Sequence, residues 1–312
     1  MRDVAGIFPA MEAPRPGGRV GPGPGTLRAG GFAFWLLLAV LLGGCSTLQF
    51  SYNNAETALR YMAWDYLDAN AEQSDSLQER FVRLRNWHRS SELPHYVQAV
   101  LMARERFSKG LTQADVEWGI ATIRSRLRLL AARAAQDAAP TLVTLGPEQI
   151  AALERKFSRE NARYVEQWIA GDDRSRLRRR ADRMVEQFEE WTGRLAAGQR
   201  QLIERFVASN PAEFERRIDE RRRWQADLVA MLKRYRSAAE LTAPLVRLLS
   251  EPESGRSNES RNSANRWESR LAALIVELDA TLDAEQRARV VGRLERYRND
   301  FQSLSAGSLA AN

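Results

Sequence analysis

The sequence predicts an all-α protein, an elongated antiparallel bundle of long helices closed by a C-terminal helical hairpin. Three observations carry this. After residue 45 glycine and proline become sparse, and Ala, Leu, Arg, Glu and Gln dominate. Apolar residues recur at three- and four-residue spacing, the period of one helix face. No stretch sustains the two-residue alternation rich in Val, Ile and Thr that marks a strand.

Taken in order, Phe50 to Ala69 reads as a first helix capped by Asn54, with Leu59, Met62, Ala63 and Tyr66 on its apolar stripe. A second starts at Asp75, carries Leu77, Phe81 and Leu84, and stops near Ser90 and Ser91. Pro94 then suits the first turn of a third helix, which ends at Gly110 as a C-cap. The fourth runs from Thr112 to about Ala138, ended by Pro140, and the fifth from Pro147 to about Ile169. Gly171-Asp172-Asp173 is a break whose aspartates cap a sixth helix to about Ala197. Gln199–Ser209 and Pro211–Leu249 follow, the latter kinked or ended at Pro244. Thus 45–250 reads as the helical body. Residues 251–265, EPESGRSNESRNSAN, read as a polar linker, 266–304 as the terminal hairpin and 305–312 as a disordered tail.

One start signal recurs. Leu111-Thr112-Gln113-Ala114-Asp115, Leu145-Gly146-Pro147-Glu148-Gln149, Leu195-Ala196-Ala197-Gly198-Gln199 and Leu282-Asp283-Ala284-Glu285-Gln286 each open a helix. The second residue stands at the N-cap and the fifth at N3, the spacing of a capping box, with the leading Leu placed as a hydrophobic staple. Ala196 is a poor cap, so that copy is the weakest. The pattern also resembles the LTxxQ motif of Spy/CpxP-type periplasmic chaperones, and the resemblance covers five residues per copy.

The start of the chain has a different character. Residues 1–27 are rich in Gly and Pro and read as a disordered extension. In 28–44, Arg28 precedes Phe32–Leu42, an apolar run too short for the ~20 residues a membrane-spanning helix needs and suited to the core of an export signal. Gly43, Gly44 and Cys45 follow, and Cys45 is the only cysteine. Leu42-Gly43-Gly44-Cys45 resembles the lipobox of bacterial lipoproteins. That resemblance implies cleavage between Gly44 and Cys45, a diacylglycerol on the sulfur and an N-acyl lipid on the new terminus. Ser46, which is not Asp, implies transfer to the periplasmic face of the outer membrane. The body begins within about ten residues of the anchor, so the sequence predicts that it is held against the bilayer.

With Cys45 lipidated no thiol remains for a disulfide, a zinc–thiolate site or thiol catalysis. The chain has 47 Lys and Arg against 40 Asp and Glu, a modest surplus that fits a mixed-sign surface. There is no G-x-S-x-G, no H-E-x-x-H and no phosphate-cradling glycine loop. The mature tryptophans, Trp64, Trp87, Trp118, Trp168, Trp191, Trp224 and Trp267, fall about one per helix, the distribution of packing residues.

The most distinctive internal segment is Trp87-His88-Arg89-Ser90-Ser91-Glu92-Leu93-Pro94-His95-Tyr96, which holds both histidines. On a continuous helix His88, Glu92 and His95 would share one face as a zinc set. Pro94 disfavours that helix, so the segment reads as a helix–helix corner packed by Trp87, Leu93 and Tyr96, and no metal or cofactor beyond the lipid is assigned. With the lipobox, Tyr52-Asn53-Asn54 and the helix-start copies, it resembles the uncharacterised proteobacterial lipoproteins grouped as domain of unknown function 6279. These pair a lipoprotein signal with a W-H-R-x-x-E-L-P-x-Y segment, here Trp87, His88, Arg89, Glu92, Leu93, Pro94 and Tyr96. The resemblance implies an all-helical, periplasm-facing lipoprotein without an established activity.

Arg176, Arg179, Arg180 and Arg183 sit in a dense basic run, and Arg216, Arg217, Arg221, Arg222 and Arg223 form another. Behind an export signal nucleic acid is a poor candidate. The first run is therefore a candidate for lipid phosphates or acidic chains, and the alternative is a solvated face paired with neighbouring carboxylates. The expected function is a non-catalytic, lipid-anchored interaction protein with a chaperone or envelope-stress role, acting on an unidentified envelope protein or unfolded client. The alternatives are a scaffold docking another envelope component and, least favoured, a metal-dependent enzyme at His88, Glu92 and His95.

Overall fold

The computed structural model describes residues 47–306, which are helical with no strand among them. The all-α expectation holds. The chain divides into a unit ending at Asn54 and a unit from Ala55 onward. The first contributes one described helix, α1 (Thr47–Asn53). Asn54 does not cap the next helix. Its Nδ2 donates to the Phe50 carbonyl at 2.8 Å and closes the last turn of α1.

The second unit contains α2 (Ala55–Leu67), α3 (Ala71–Trp87), a π-helical turn (His88–Glu92), α4 (Leu93–Ser108), α5 (Gln113–Leu142), α6 (Pro147–Trp168), α7 (Asp173–Thr192), α8 (Ala197–Ala208), α9 (Glu213–Arg234), α10 (Ala238–Ser250), α11 (Asn258–Thr281) and α12 (Ala284–Ala306). Several predicted boundaries move, each for a local reason. α3 begins at Asn70, whose side chain accepts from the Gln73 N–H at 2.9 Å, and not at Asp75. Pro140 does not end α5, because it falls in the last turn of a helix held by the fully buried Ala135 and Ala139. α7 stops at Thr192, where Gly193 takes φ 76°, several residues before Ala197. The predicted helix over Pro211–Leu249 is two, because Ser237 starts a new cap with its oxygen accepting from the Glu240 N–H. Pro244 then lies inside α10. Half of the polar stretch over 251–265 is helical. Ser257 caps α11, and Ser260 and Arg256 both bind Glu220 of α9.

The recurrent start signal pairs across the fold. Gln73 and Gln149 each accept their own N-cap N–H on Oε1, from Asn70 and Gly146, and each donates its amide to the other's Oε1, at 3.3 and 2.8 Å. Gln199 and Gln286 do the same from the N-caps Ala196 and Asp283, with mutual bonds of 2.9 and 3.0 Å. In each pair one amide also binds a Thr carbonyl, Thr144 or Thr281, and the other reaches back to the loop after the first helix, at Asp68 or Arg194. Both loops contain a left-handed residue, Asp68 at φ 47° and Gly193 at φ 76°.

These pairs mark an internal repeat. Helices α2, α3, α5 and α6 contact one another in the same pairs as α7, α8, α11 and α12. The side chains correspond in register. Lys156, seven residues after Gln149, binds Asp65 at 2.6 Å and lies over the Tyr66 ring. Arg293, seven residues after Gln286, pairs with Glu190 at 3.5 Å and lies over the Trp191 ring. Ala135 and Ala272, both fully buried, occupy equivalent positions before Thr144 and Thr281. Each repeat has its own core. The first joins Ala135, Leu145, Ile150 and Leu153 to Leu241 and Leu245 of α10, and the second joins Val185, Leu195, Ile203 and Phe206 to Leu274 and Leu278. A third cluster, Phe107 with Val290 and Leu294, fastens α4 to α12.

Because Gln286 is buried and its loss orphans the Gln199 amide and the Asp283 N–H, Gln286→Leu is expected to lower unfolding free energy by ~1–3 kcal/mol or more in urea titration, with an unchanged m-value.

Candidate functional site

The Trp87–Tyr96 segment forms no corner. α3 passes into α4 through the π-helical turn, and the Leu93 N–H bonds to the His88 carbonyl. A π turn widens the backbone by one residue. Pro94 needs no backbone partner, and the wider turn relieves the clash its ring would make with the preceding turn of an α-helix. Proline read as a helix breaker is therefore accommodated inside one long helical rod.

The turn sets its side chains in three directions. Leu93 is buried at 1% exposure, and Glu92 at 2%. The Glu92 Oε1 lies 3.6 Å from Arg126 of α5, while its Oε2 has no hydrogen bond among the described residues. Trp87 faces Arg133, 6.0 Å from ring to guanidinium. His88 is half-buried, and its Nε2 is 3.2 Å from the Tyr96 hydroxyl. From there a chain of rings runs His88–Tyr96–Phe301–Tyr297–Trp191, with centroid steps of 5.3, 5.5, 6.2 and 5.7 Å. The turn thus joins the first repeat to α12 and α7 of the second through aromatic contacts of the kind that add to area burial. Burial pushes the His88 pKa down to about 4, so the ring is neutral near pH 7.

The three residues of the alternative zinc set do not converge. His88 turns to Tyr96, Glu92 is buried beside Arg126, and His95 is exposed. Among the described residues no group of three His, Cys, Asp or Glu side chains is placed to hold a metal.

The basic run of α7 is engaged inside the fold. Arg180, almost fully buried, donates to the Trp168 carbonyl at 2.8 and 3.0 Å, to the Pro211 carbonyl at 2.7 Å and to Glu215 at 2.9 Å. Arg179 donates to the carbonyls of Gln167 and Ala170, and Arg176 to Ile169 and Asp173. Arg183 pairs with Glu186 at 3.2 Å. Three guanidinium groups therefore satisfy the open carbonyl end of α6, where positive charge also complements the helix dipole. The second run is paired as well, Arg216 and Arg217 with Glu213 and Arg221 with Glu160. Glu160 in turn accepts from the Tyr66 hydroxyl, and burial with that bond raises the Tyr66 pKa.

The large exposed aromatics lie elsewhere, at Phe50, Tyr61 and Trp64. Tyr61 and Trp64 stand on α2 opposite its inward stripe and border two adjoining open grooves, with Arg60, Arg155 and Arg159 around them. The sequence reading assigned Trp64 to packing. The signal that separates it is its register, off the Leu59, Met62, Ala63 and Tyr66 stripe. Gly44 and Cys45 lie outside the described residues, and among the described residues no helix is long and apolar enough to cross a membrane.

The fold and this site define an all-helical protein in which a π-turn links two helical repeats through a run of aromatic rings. The chain belongs to a family of unknown function, DUF6279, whose model matches residues 65–261. The match takes in the π-turn and both basic runs and ends early in α11, before Gln286. No curated protein and no solved structure matches the chain.

The His88 pKa gives a signed pH dependence. Its folded value lies below the unfolded ~6.5, so its contribution is complete above that pH and is lost as pH falls toward about 4. The slope is at most ~1.4 kcal/mol per pH unit and is reduced by solvent screening of a half-buried ring. Urea midpoints measured from pH 7 to pH 4 should fall less steeply in His88→Gln than in the parent chain.

Proposed function

We propose that the chain is a lipid-anchored, periplasm-facing interaction protein of the bacterial envelope, non-catalytic and held through Cys45 in the outer membrane. The observation that carries the anchoring is the run Arg28 to Cys45, in which a positive charge, a short apolar core, two small residues and the chain's only cysteine coincide. An action through surfaces is supported by where the chemistry-bearing side chains go. His88 is taken up by Tyr96, Glu92 lies beside Arg126, and Arg176, Arg179 and Arg180 close the end of α6. The partner is an envelope protein or an unfolded client.

Within that reading the structure bears on the two roles unequally. The chaperone-like role drew on the five-residue start motif, and Gln149, Gln199 and Gln286 of that motif are N3 caps bonded across the fold. Their positions are explained by folding alone. A scaffold that docks one envelope component is the second reading, favoured by the long rod of α3 and α4 that spans the repeats.

Cys45→Ser tests the anchor. The parent chain should fractionate with outer membranes and show the mass of its acyl chains, and the variant should leave the membrane fraction. Two or three acyl chains at ~0.8 kcal/mol per buried CH₂ make the difference all-or-none. Retention of the variant in membranes would refute the tether. Crosslinking in the intact envelope should give one dominant partner for a scaffold and a spread of clients for a chaperone.

A further inference from the structure

All three exposed aromatic side chains among the described residues lie within nineteen positions after Cys45. Phe50 is 66% exposed, Tyr61 63% and Trp64 60%. Every other Phe, Tyr and Trp of the described residues is at least partly buried. Burial demands do not explain this. On α2 the inward stripe is complete without them, with Ala63 at 5% exposure and Tyr66 bonded to Glu160.

The internal repeat supplies a control. Aligning Asp65 and Tyr66 with Glu190 and Trp191 places Tyr61 on Glu186 and Trp64 on Glu189. Glu186 is exposed, and Glu189 is partly buried, accepting from the Leu195 N–H at 3.0 Å and pairing with Arg200, so the second repeat needs no aromatic ring at either position while the first carries Tyr and Trp. Around the ring pair, Arg60, Arg155 and Arg159 are exposed and make no ion pair among the described residues. Asp68 and Asp75 also border the grooves, and Asp65 is neutralised by Lys156 at 2.6 Å, so the surroundings keep a small positive surplus.

We propose that the Tyr61–Trp64 face of α2 is a membrane-seating surface that lies in the headgroup region of the leaflet holding the anchor. The inference rests on the lipid-anchored reading above. The chemistry matches. Tyr and Trp rings have an apolar body and a polar edge and settle at the boundary between hydrocarbon and water. Arginines beside them take anionic phosphates. The anchor sulfur at Cys45 is close in the chain, so a body tethered there meets the bilayer at high effective concentration and needs only a weak patch to fix its orientation.

The test uses lipidated protein purified from membranes and reconstituted in vesicles of phosphatidylethanolamine with a minority of phosphatidylglycerol, doped with spin-labelled phospholipid. Tryptophan fluorescence is quenched where a ring enters the bilayer. The parent chain should show a quenchable fraction that Trp64→Phe removes, while Trp267→Phe leaves it in place. Equal quenching in the parent and in Trp64→Phe would overturn the proposal. So would unquenched Trp64 with a particle mass that halves in Trp64→Ala, since that outcome assigns the face to a second copy of this chain. To separate this from failure of the anchor, the chain from Ser46 onward, exported behind a cleavable signal and carrying no lipid, is floated with the same vesicles. Its binding should weaken with salt and fall about tenfold in the Tyr61→Ala, Trp64→Ala double variant. Lipid-dependent quenching in a chain that carries no acyl mass would reject the anchor and retain the surface.

Discussion

Two glutamine pairs hold the geometry of this fold. A helix start leaves backbone N–H groups without partners, and a buried start must find them inside the protein. Here Gln73, Gln149, Gln199 and Gln286 each close their own helix start with the amide oxygen and reach across to another helix start with the amide nitrogen. A local capping rule becomes a long-range tie. In a nearly dry setting an unpaired amide is costly, so each pair specifies which helix starts meet and in what register. Each repeat's core cluster and the cation–aromatic contact at Tyr66 or Trp191 lie on the helices that these pairs bring together.

On this frame the two repeats have diverged. In the first, the segment between the paired starts carries the π-turn, which lets Pro94 remain in a continuous rod and aims Tyr96 at Phe301 of α12. In the second, the corresponding span includes α9 and α10, which cover the core of the first repeat through Val229, Leu232, Leu241 and Leu245. The repeats are thus fastened by a ring chain on one side and by aliphatic packing on the other. Surface divergence follows the same line, with Tyr61 and Trp64 of the first repeat standing where the second has Glu186 and Glu189.

Much of this was legible in the sequence. Helix periodicity gave the fold class, and the spacing of the start signal gave the N3 role of Asp115, Gln149, Gln199 and Gln286. The Asn70 to Gln73 copy escaped notice because no leucine precedes it, and Ser237 to Glu240 because the apolar pattern runs through the break. Pro140 was read as a stop and lies in the last turn of a helix whose packing outweighs the local penalty, whereas Pro94 stands in the first turn of α4 as its sequence suggested, and what the sequence hid is the π-turn that joins α4 to α3 without a corner. What could not be read was partnership. Arg180 in a basic run looks the same in sequence whether it meets a phosphate or the Trp168 carbonyl, and only the fold decides. Glutamine pairing across 76 and 87 positions has no one-dimensional signature.

The central claim is that each glutamine pair acts as a unit and that the two units are separate. Double-mutant cycles in urea test this most directly, using Gln→Ala at Gln73, Gln149, Gln199 and Gln286. The account predicts coupling of ~0.5–3 kcal/mol within Gln73–Gln149 and within Gln199–Gln286, and additivity to within ~0.5 kcal/mol for Gln73 with Gln286. Additive effects within both pairs would contradict it.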